Sequence, residues 1–378
     1  MTVSDKLPDE GYRLNVTADG ASVEASSTSG LYFAFQSLKK MLPPNVMAGV
    51  ADKAVTEYVL PVVSISDKPR FPYRGFMLDV SRHFFTIDEV KRMLDVMSYY
   101  KLNRFHWHLT DDQGWRIEMP QYPRLTTVGA TAPNSRFTDM NSKSQYWINH
   151  PYGPYFYTQD ELREVVAYAK ERHIEVIPEV DMPGHFCAAM AAYPEFSCNP
   201  GGSHSVWDDG GISSDVLNVA NPAAVQFAKD VLTTLMDIFP YPSIHIGGDE
   251  CPTSAWENNA ECKDLYKRIG AKSWRELQSN FIMELNDHVK ASGRTLSMWD
   301  ESISASGADT EKVKQTDAFI YCWTVGTADA AAKLGTSLGL RCIYTPWGPY
   351  YINRRQNQAD PPGAGDGTDD VRATYLRT

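Results

Sequence analysis

Two adjacent carboxylic acids, Asp249 and Glu250, are the residues best suited to do chemistry in this chain. They follow a short β-branched run at residues 243–246 and two glycines, which permit a tight turn or a close backbone approach. Adjacent side chains on an extended backbone point in different directions, so the two carboxyl groups can serve different atoms of one substrate. The pair suits acid catalysis on a sugar, whereas the alternative for so short a motif is a solvated turn.

The composition of this 378-residue chain excludes several classes of function. A net charge of -11 disfavours nucleic acid or an anionic membrane as a partner, because no basic run offsets the acids. Residues 1–10 are polar and lack the apolar core of a signal peptide. The chain also has no run of about 18 apolar residues, the length needed to span a bilayer. A neutral or weakly charged ligand fits this balance best.

Six cysteines are spread through the chain without the CxxC spacing of a zinc site, so we expect no metal. Cys187 with Cys198, and Cys251 with Cys262, could each close a short disulfide loop. Buried free thiols are the alternative, which we favour.

Residues 1–68 are predicted to form a small α+β domain. Residues 12–17 and 21–25 alternate like strands, residues 29–42 have the apolar spacing of a helix, and residues 58–65 read as a further strand.

From residue 69 to residue 378 the pattern alternates between strands and helices. Strands are predicted at 75–80, 104–109, 175–180, 243–246, 295–299, 318–323 and 341–344. Helices are predicted at 87–100, 159–172, 223–239, 273–292 and 327–335. This alternation indicates an α/β fold, a (β/α)8 TIM-type barrel of parallel strands with covering helices. Only seven β units are visible, so we expect the barrel to be truncated before its last strand.

Polar and aromatic side chains collect where these predicted strands end. In a β/α barrel the carboxyl ends of the strands form the active face, so separate segments of the chain converge on one site. The clusters lie at 79–83, 106–113, 179–185, 249–250, 299–301, 323 and 347–351.

These motifs resemble those of the glycoside hydrolase family 20 β-N-acetylhexosaminidases, and the resemblance covers nearly the whole chain. It rests on segments 74–75, 78–84, 106–116, 178–185 and 245–250. It implies exo-acting, retaining removal of terminal β-linked N-acetylglucosamine or N-acetylgalactosamine from an oligosaccharide or glycoconjugate, without a cofactor. In this family the substrate's 2-acetamido oxygen is the nucleophile and an oxazolinium ion is the intermediate. Glu250 would be the general acid and base, and Asp249 would orient the acetamido group.

The resemblance also implies a set of sugar-binding residues. Arg74 would bind the 3- and 4-hydroxyls, Trp299 and Trp323 would wall the acetamido methyl, and Tyr351 would bind the acetamido oxygen. The remaining expected members of the site are His185, which would pair with Asp181 to hold the general acid, and Asn353, with Asp112 behind them.

The chain departs from the family in two places. Asn353 stands where the family has an aspartate that binds a sugar hydroxyl, and an amide binds less strongly than a carboxylate. The tryptophan and glutamate expected on the last strand are absent. Two alternatives are therefore kept: a lacto-N-biosidase-like enzyme that releases a disaccharide, and a sugar-binding barrel without turnover. The family is commonly exported, so we expect a secreted, periplasmic or cell-surface location for the full-length protein.

Overall fold

The computed structural model describes residues 2–47, 49–50, 54–55, 57–138, 145–148, 150–324, 326–353, 368 and 372. The chain forms two compact units that interleave along the sequence. The first contains Met1–Phe76, Thr86–Phe105 and Glu164–Val176, and the second contains Met77–Phe85, His106–Arg163 and Ile177–Thr378. The predicted boundary between residues 68 and 69 stays a prediction. In the described part of the chain, none of the helices has the length and apolar character needed to cross a bilayer.

The first unit contains a four-stranded sheet in the order β1-β3-β2-β4, with one face on a small apolar core. The bounds are β1 (Thr2–Val3), β2 (Tyr12–Thr17), β3 (Gly20–Ala25) and β4 (Val63–Asp67), with helices α1 (Thr28–Lys39) and α2 (Pro44–Met47). Residues in β2 alternate between buried and more exposed positions, as a half-buried strand requires, and Ser27 caps α1 by accepting from the Gly30 amide. The strand predicted at 58–65 is wrong over residues 58–62. Val59 and Val62 are 78% and 75% exposed, and pairing starts only at Val63.

The remaining strands and helices alternate along the chain. The strands are β5 (Gly75–Asp79), β6 (Arg104–His108), β7 (Thr110–Asp111), β8 (Gly114–Trp115), β9 (Ser135–Thr138), β10 (Gln145–Ile148), β11 (Glu175–Glu179), β12 (Ser243–His245), β13 (Thr295–Trp299), β14 (Phe319–Cys322) and β15 (Arg341–Tyr344). The helices are α3 (Ile87–Tyr99), α4 (Arg124–Thr127), α5 (Gln159–Lys170), α6 (Cys187–Ala192), α7 (Pro222–Ile238), α8 (Ser254–Asn258), α9 (Ala260–Arg268), α10 (Arg275–Ala291), α11 (Glu301–Ser304), α12 (Thr310–Val313), α13 (Ala328–Ser337) and α14 (Trp347–Tyr350).

Seven of these strands form one curled parallel sheet, which confirms the predicted TIM-type architecture. Their order is β15-β14-β13-β12-β11-β6-β5, so each strand lies beside its predecessor in the alternation. The predicted strand bounds at 295–299 and 341–344 are reproduced. Residues after Asn353 are described only at positions 368 and 372, so the expected absence of a last strand falls outside the described residues.

Several short elements escaped the sequence patterns because they contain too few residues for a period to show. They are the hairpins β7-β8 and β9-β10 after β6, and helices α8 and α9 after β12. All six cysteines are free thiols, which agrees with the favoured alternative, and neither candidate disulfide forms.

Candidate active site

The turn that follows β12 sets the two catalytic candidates apart. Gly247, Gly248 and Glu250 all have positive φ values, of 66°, 92° and 43°, so the backbone turns back as soon as the strand ends. A Cβ atom on Gly247 would lie 1.8 Å from Asp181 Oδ1, so only glycine fits there. The side chain of Asp249 is 14% exposed and that of Glu250 is 37% exposed. One carboxyl group thus lies inside the site and the other lies at its mouth.

Asp181 lies beneath Asp249, as expected for a supporting residue. Its Oδ1 accepts the Gly248 amide at 2.9 Å. Burial, together with the nearby Asp249 carboxylate, raises the pKa of Asp181 well above its usual range, and the two side chains hydrogen-bond. A raised pKa favours the protonated form of Asp181, in which its O–H can donate to Asp249. This leaves Asp249 Oδ1, which is buried and has no hydrogen-bond partner among the described residues.

His185 lies between the two catalytic candidates and a pair of buried aspartates. Its Nε2 is 3.3 Å from Glu250 Oε2 and 3.9 Å from Asp249 Oδ2, while its Nδ1 is 3.1 Å from Asp111 Oδ1. Burial is the largest single effect and opposes a charge here, but the Asp111, Asp112 and Glu250 carboxylates together outweigh it and raise the pKa of His185 well above the usual range. The imidazole is therefore a cation that faces Glu250. Its hydrogen-bonding partner is Asp111, where the sequence predicted a pair with Asp181.

Asp112 positions the segments around His185. Its Oδ1 accepts the Cys187 amide at 3.0 Å and its Oδ2 accepts the Ser213 amide at 2.9 Å, with the carboxylate fully buried. These two contacts place Asp112 beside His185, and its supporting role stays a prediction.

Arg82 is a site residue that the sequence analysis did not single out. The guanidinium is 2.8 Å from Asp79 Oδ2 and 2.8 Å from Asp111 Oδ2, and these carboxylates raise its pKa further above the ordinary value against the effect of burial. Arg82 also lies close enough to Tyr351 for each to influence the pKa of the other. The available signal was its position three residues beyond the carboxyl end of β5.

Arg74, for which the sequence predicts a sugar-binding role, makes its contacts at the amino end of β5. Arg74 belongs to the first unit and precedes the amino end of β5, whereas the polar residues of the site follow the carboxyl ends of their strands. Its guanidinium pairs with Glu10 at 2.8 Å and donates to the carbonyls of Phe71 and Lys101. These contacts engage Arg74 within the first unit, and we propose that Arg82, at the other end of β5, is the arginine of the site.

Two tryptophans form an edge-to-face corner next to the acids. Trp299 ends β13 and is 8% exposed, and Trp323 follows β14, with ring centroids 6.4 Å apart at 71°. The Trp299 indole donates to Glu179 Oε1 at 2.7 Å, which fixes the ring. Trp323 Nε1 is buried without a partner among the described residues. The structure therefore brings together the two aromatic walls that the sequence predicted.

Glu179 is shared among three buried histidines beneath this corner. Its oxygens lie 2.7 Å from His106 Nε2, 2.8 Å from His108 Nδ1 and 3.1 Å from His245 Nδ1. The histidines overcome the effect of burial and lower the pKa of Glu179 well below its usual range, while burial lowers the pKa of His245 to about 4. The ligand atoms of His106, Glu179 and His245 lie within 4.8 Å of one another, a donor set that could hold a cation. In the arrangement observed, the carboxylate already binds the rings and the Trp299 indole.

Tyr351 and Asn353 follow β15 through the short helix α14. The Tyr351 ring is 46% exposed and packs 6.1 Å from the Trp347 ring. Asn353 Oδ1 is buried without a hydrogen-bond partner in the part of the chain that the structure describes.

The chain matches known glycosidases over most of its length. Residues 71–375 match the model of the glycosyl hydrolase family 20 catalytic domain, and residues 2–68 match that of domain 2 of the same family. A β-hexosaminidase of Porphyromonas gingivalis is 38% identical over 309 residues, which are 81% of this chain and 38% of that protein. A β-hexosaminidase of Vibrio furnissii is 36% identical over 357 residues, which are 94% of this chain and 55% of that protein. The chain thus spans about half the length or less of these two relatives.

A solved structure shares both the fold and part of the sequence. The family 20 exo-β-N-acetylglucosaminidase of Vibrio harveyi, in complex with N-acetylglucosamine, superposes with a TM-score of 0.82 at 31% identity. The match covers 99% of this chain and 56% of that one. With the family model matching the barrel and its site-bearing segments, this chain belongs to glycosyl hydrolase family 20.

Proposed function

We propose that the chain is an exo-acting, retaining β-N-acetylhexosaminidase that releases terminal N-acetylglucosamine or N-acetylgalactosamine from oligosaccharides and glycoconjugates. One observation carries this proposal: three residues expected to contact the sugar each carry a buried polar atom without a partner among the described residues. These atoms are Asp249 Oδ1, Trp323 Nε1 and Asn353 Oδ1. Such an orphan costs about 1–3 kcal/mol, a cost that the hydroxyl and acetamido groups of a bound sugar would remove.

The first chemical step would use the substrate's own acetamido oxygen. Asp249 accepts a hydrogen bond from the protonated Asp181. The other oxygen of Asp249, Oδ1, is then left to accept the acetamido N–H and to stabilise positive charge as the oxazolinium ion forms. The edge-to-face corner of Trp299 and Trp323 supplies an apolar surface for the acetamido methyl. These groups would compress the acetamido group against the anomeric carbon.

The acid and base steps would belong to Glu250. Its carboxyl group lies near the mouth of the site, where it can protonate the leaving oxygen and then take a proton from the attacking water. The cationic His185 beside it stabilises the carboxylate once the proton has left. The N-acetylglucosamine complex of the Vibrio harveyi relative supports this choice of sugar.

The test is hydrolysis of an aryl β-N-acetylglucosaminide beside the same aryl β-glucoside, which lacks the nucleophile. Release from the first substrate alone is expected. Release from both would overturn the acetamido mechanism. Release from neither, with sugar binding detected by calorimetry, would identify a sugar-binding barrel without turnover.

A further inference from the structure

Three successive residues at the carboxyl end of β13 each reach a different part of the candidate site. Trp299 forms one aromatic wall, and the buried Asp300 accepts the backbone amide of Trp323 at 3.3 Å. Glu301 Oε2 accepts the backbone amide of Glu250 at 3.0 Å. The segment therefore joins the sugar pocket to the general acid, and Glu301 is the member that contacts the acid directly.

The backbone that Glu301 holds is strained. Glu250 has φ 43°, a left-handed conformation that side chains other than glycine adopt only when their surroundings enforce it. Other side chains hold Gly248, two residues before Glu250: Asp181 accepts the Gly248 amide at 2.9 Å, and Gln278 donates to the Gly248 carbonyl at 2.7 Å. Side chains from separate segments thus form hydrogen bonds with this turn, and Glu301 accepts the amide of its last residue, Glu250.

The charges around Glu301 make this tie sensitive to ionisation. Burial, followed by the Asp249 and Glu250 carboxylates, raises the pKa of Glu301 to about 7, although the Glu250 amide and the Arg275 guanidinium of α10 act in the opposite direction. An ionised carboxylate accepts an N–H bond more strongly than a carboxylic acid does. The hydrogen bond from the Glu250 amide to the Glu301 carboxylate therefore strengthens as the pH rises through neutrality.

We propose that Glu301 is a positioning residue whose carboxylate fixes the backbone of Glu250, and through it the direction of the general acid toward the glycosidic oxygen. This inference rests on the proposed function, since it needs Glu250 to be the acid. It assigns to the Trp299–Glu301 segment one role in forming the sugar pocket and a second role in acid catalysis.

The kinetic test uses E301Q and E301A with two substrates. An aryl N-acetylglucosaminide has a good leaving group, while N,N′-diacetylchitobiose has a poor one that needs the acid. With the disaccharide, kcat is expected to fall about 10-fold in E301Q, whose amide oxygen can still accept the N–H, and about 100-fold in E301A. The aryl substrate should lose less, and KM should stay within about 3-fold, because the residues expected to bind the sugar are untouched.

Glu171→Gln is the matched control for these variants, because Glu171 belongs to the first unit and its side chain is 79% exposed. The Glu171→Gln variant should hydrolyse both substrates at the native rates.

A stability measurement tests the ionisation separately. Glutamate in an unfolded chain ionises near pH ~4.3, so between that pH and about 7 the folded protein holds a proton on Glu301 that the unfolded chain has lost. Native stability from this group consequently falls as the pH rises across that window. E301Q cannot ionise, so its Tm relative to that of the native protein should be higher at pH 8 than at pH 5. A glutamate that served only for packing would lower Tm equally at both pH values.

The outcomes separate this inference from the proposed function. No hydrolysis by the native protein would overturn the proposed function, and the positioning role with it. A native protein that is active, with E301Q and E301A matching it on both substrates, would overturn the positioning role alone. A Tm difference that does not change between pH 5 and pH 8 would overturn the ionisation of Glu301.

Discussion

The imidazole of His185 lies 3.3 Å from the Glu250 carboxylate and 3.1 Å from the Asp111 carboxylate, so one cation bridges the proposed general acid and a buried anion. His185→Gln should lower kcat about 100-fold, because the carboxylate left by proton transfer loses its counter-charge. Steady-state kinetics with an aryl N-acetylglucosaminide would measure this loss, and unchanged kcat would exclude the role.

The contacts of His185 with these carboxylates should also make the stability of the protein depend on pH. Because the folded pKa of His185 is raised above its unfolded value near ~6.5, its contribution to stability is complete below that pH and is lost as the pH rises through the higher folded pKa. The Tm difference between native protein and His185→Gln should therefore be larger at pH 6 than at pH 10. Thermal unfolding across this range checks the sign, and a difference that grows with pH would contradict it.

Neutralising Asp249 and neutralising Glu250 are expected to slow different steps of the reaction. Glu250→Gln should abolish turnover of substrates with poor leaving groups while sparing sugar binding, since its loss removes only proton transfer. Asp249→Asn should slow cleavage of good and poor leaving groups alike, because the acetamido attack itself is impaired. Rates on an aryl glycoside and on a disaccharide separate the two patterns. Native rates in both variants would refute the mechanism.

The two arginines at opposite ends of β5 should respond in opposite ways. Arg82→Lys should reduce kcat/KM about 100-fold, because lysine cannot bridge Asp79 and Asp111 with a planar fork. Arg74→Lys should lower Tm with little kinetic effect, because Arg74 binds Glu10 and backbone carbonyls of the first unit. Parallel assays of activity and unfolding compare them. The reverse pattern would restore Arg74 as the sugar ligand.

A substitution at Asn353 should strengthen binding of the substrate sugar. Asn353→Asp places a carboxylate where a buried amide oxygen has no partner among the described residues, and a charge-assisted hydrogen bond to a sugar hydroxyl is stronger than a neutral one. KM for the aryl substrate should fall about 3- to 10-fold. Asn258→Asp, at an exposed position, serves as the control. An unchanged KM in Asn353→Asp would mean that the residue lies away from the sugar, and a higher KM would contradict the predicted gain in binding.

The amino-acid sequence by itself determined the main elements of the barrel and the proposed catalytic pair. Strands such as β13 and β15 appear as apolar runs between helical periods, because burial and periodicity are local properties of the chain. Asp249 and Glu250 are neighbours in sequence, so their proximity required no folding. Their placement at the end of β12 followed from the rule that barrel strands end at the active face.

Only the tertiary structure decided which distant residues serve that pair. Arg74 and Arg82 flank the same strand, and the choice between them depended on which strand end carries the site. His185 found its partner in Asp111 across 74 residues, and Glu301 reached the Glu250 amide across 51. Such contacts arise from the angles at which strands and loops meet, which no local pattern of residues encodes. The sequence therefore predicts the fold, whereas the residues that contact the proposed general acid depend on the tertiary structure.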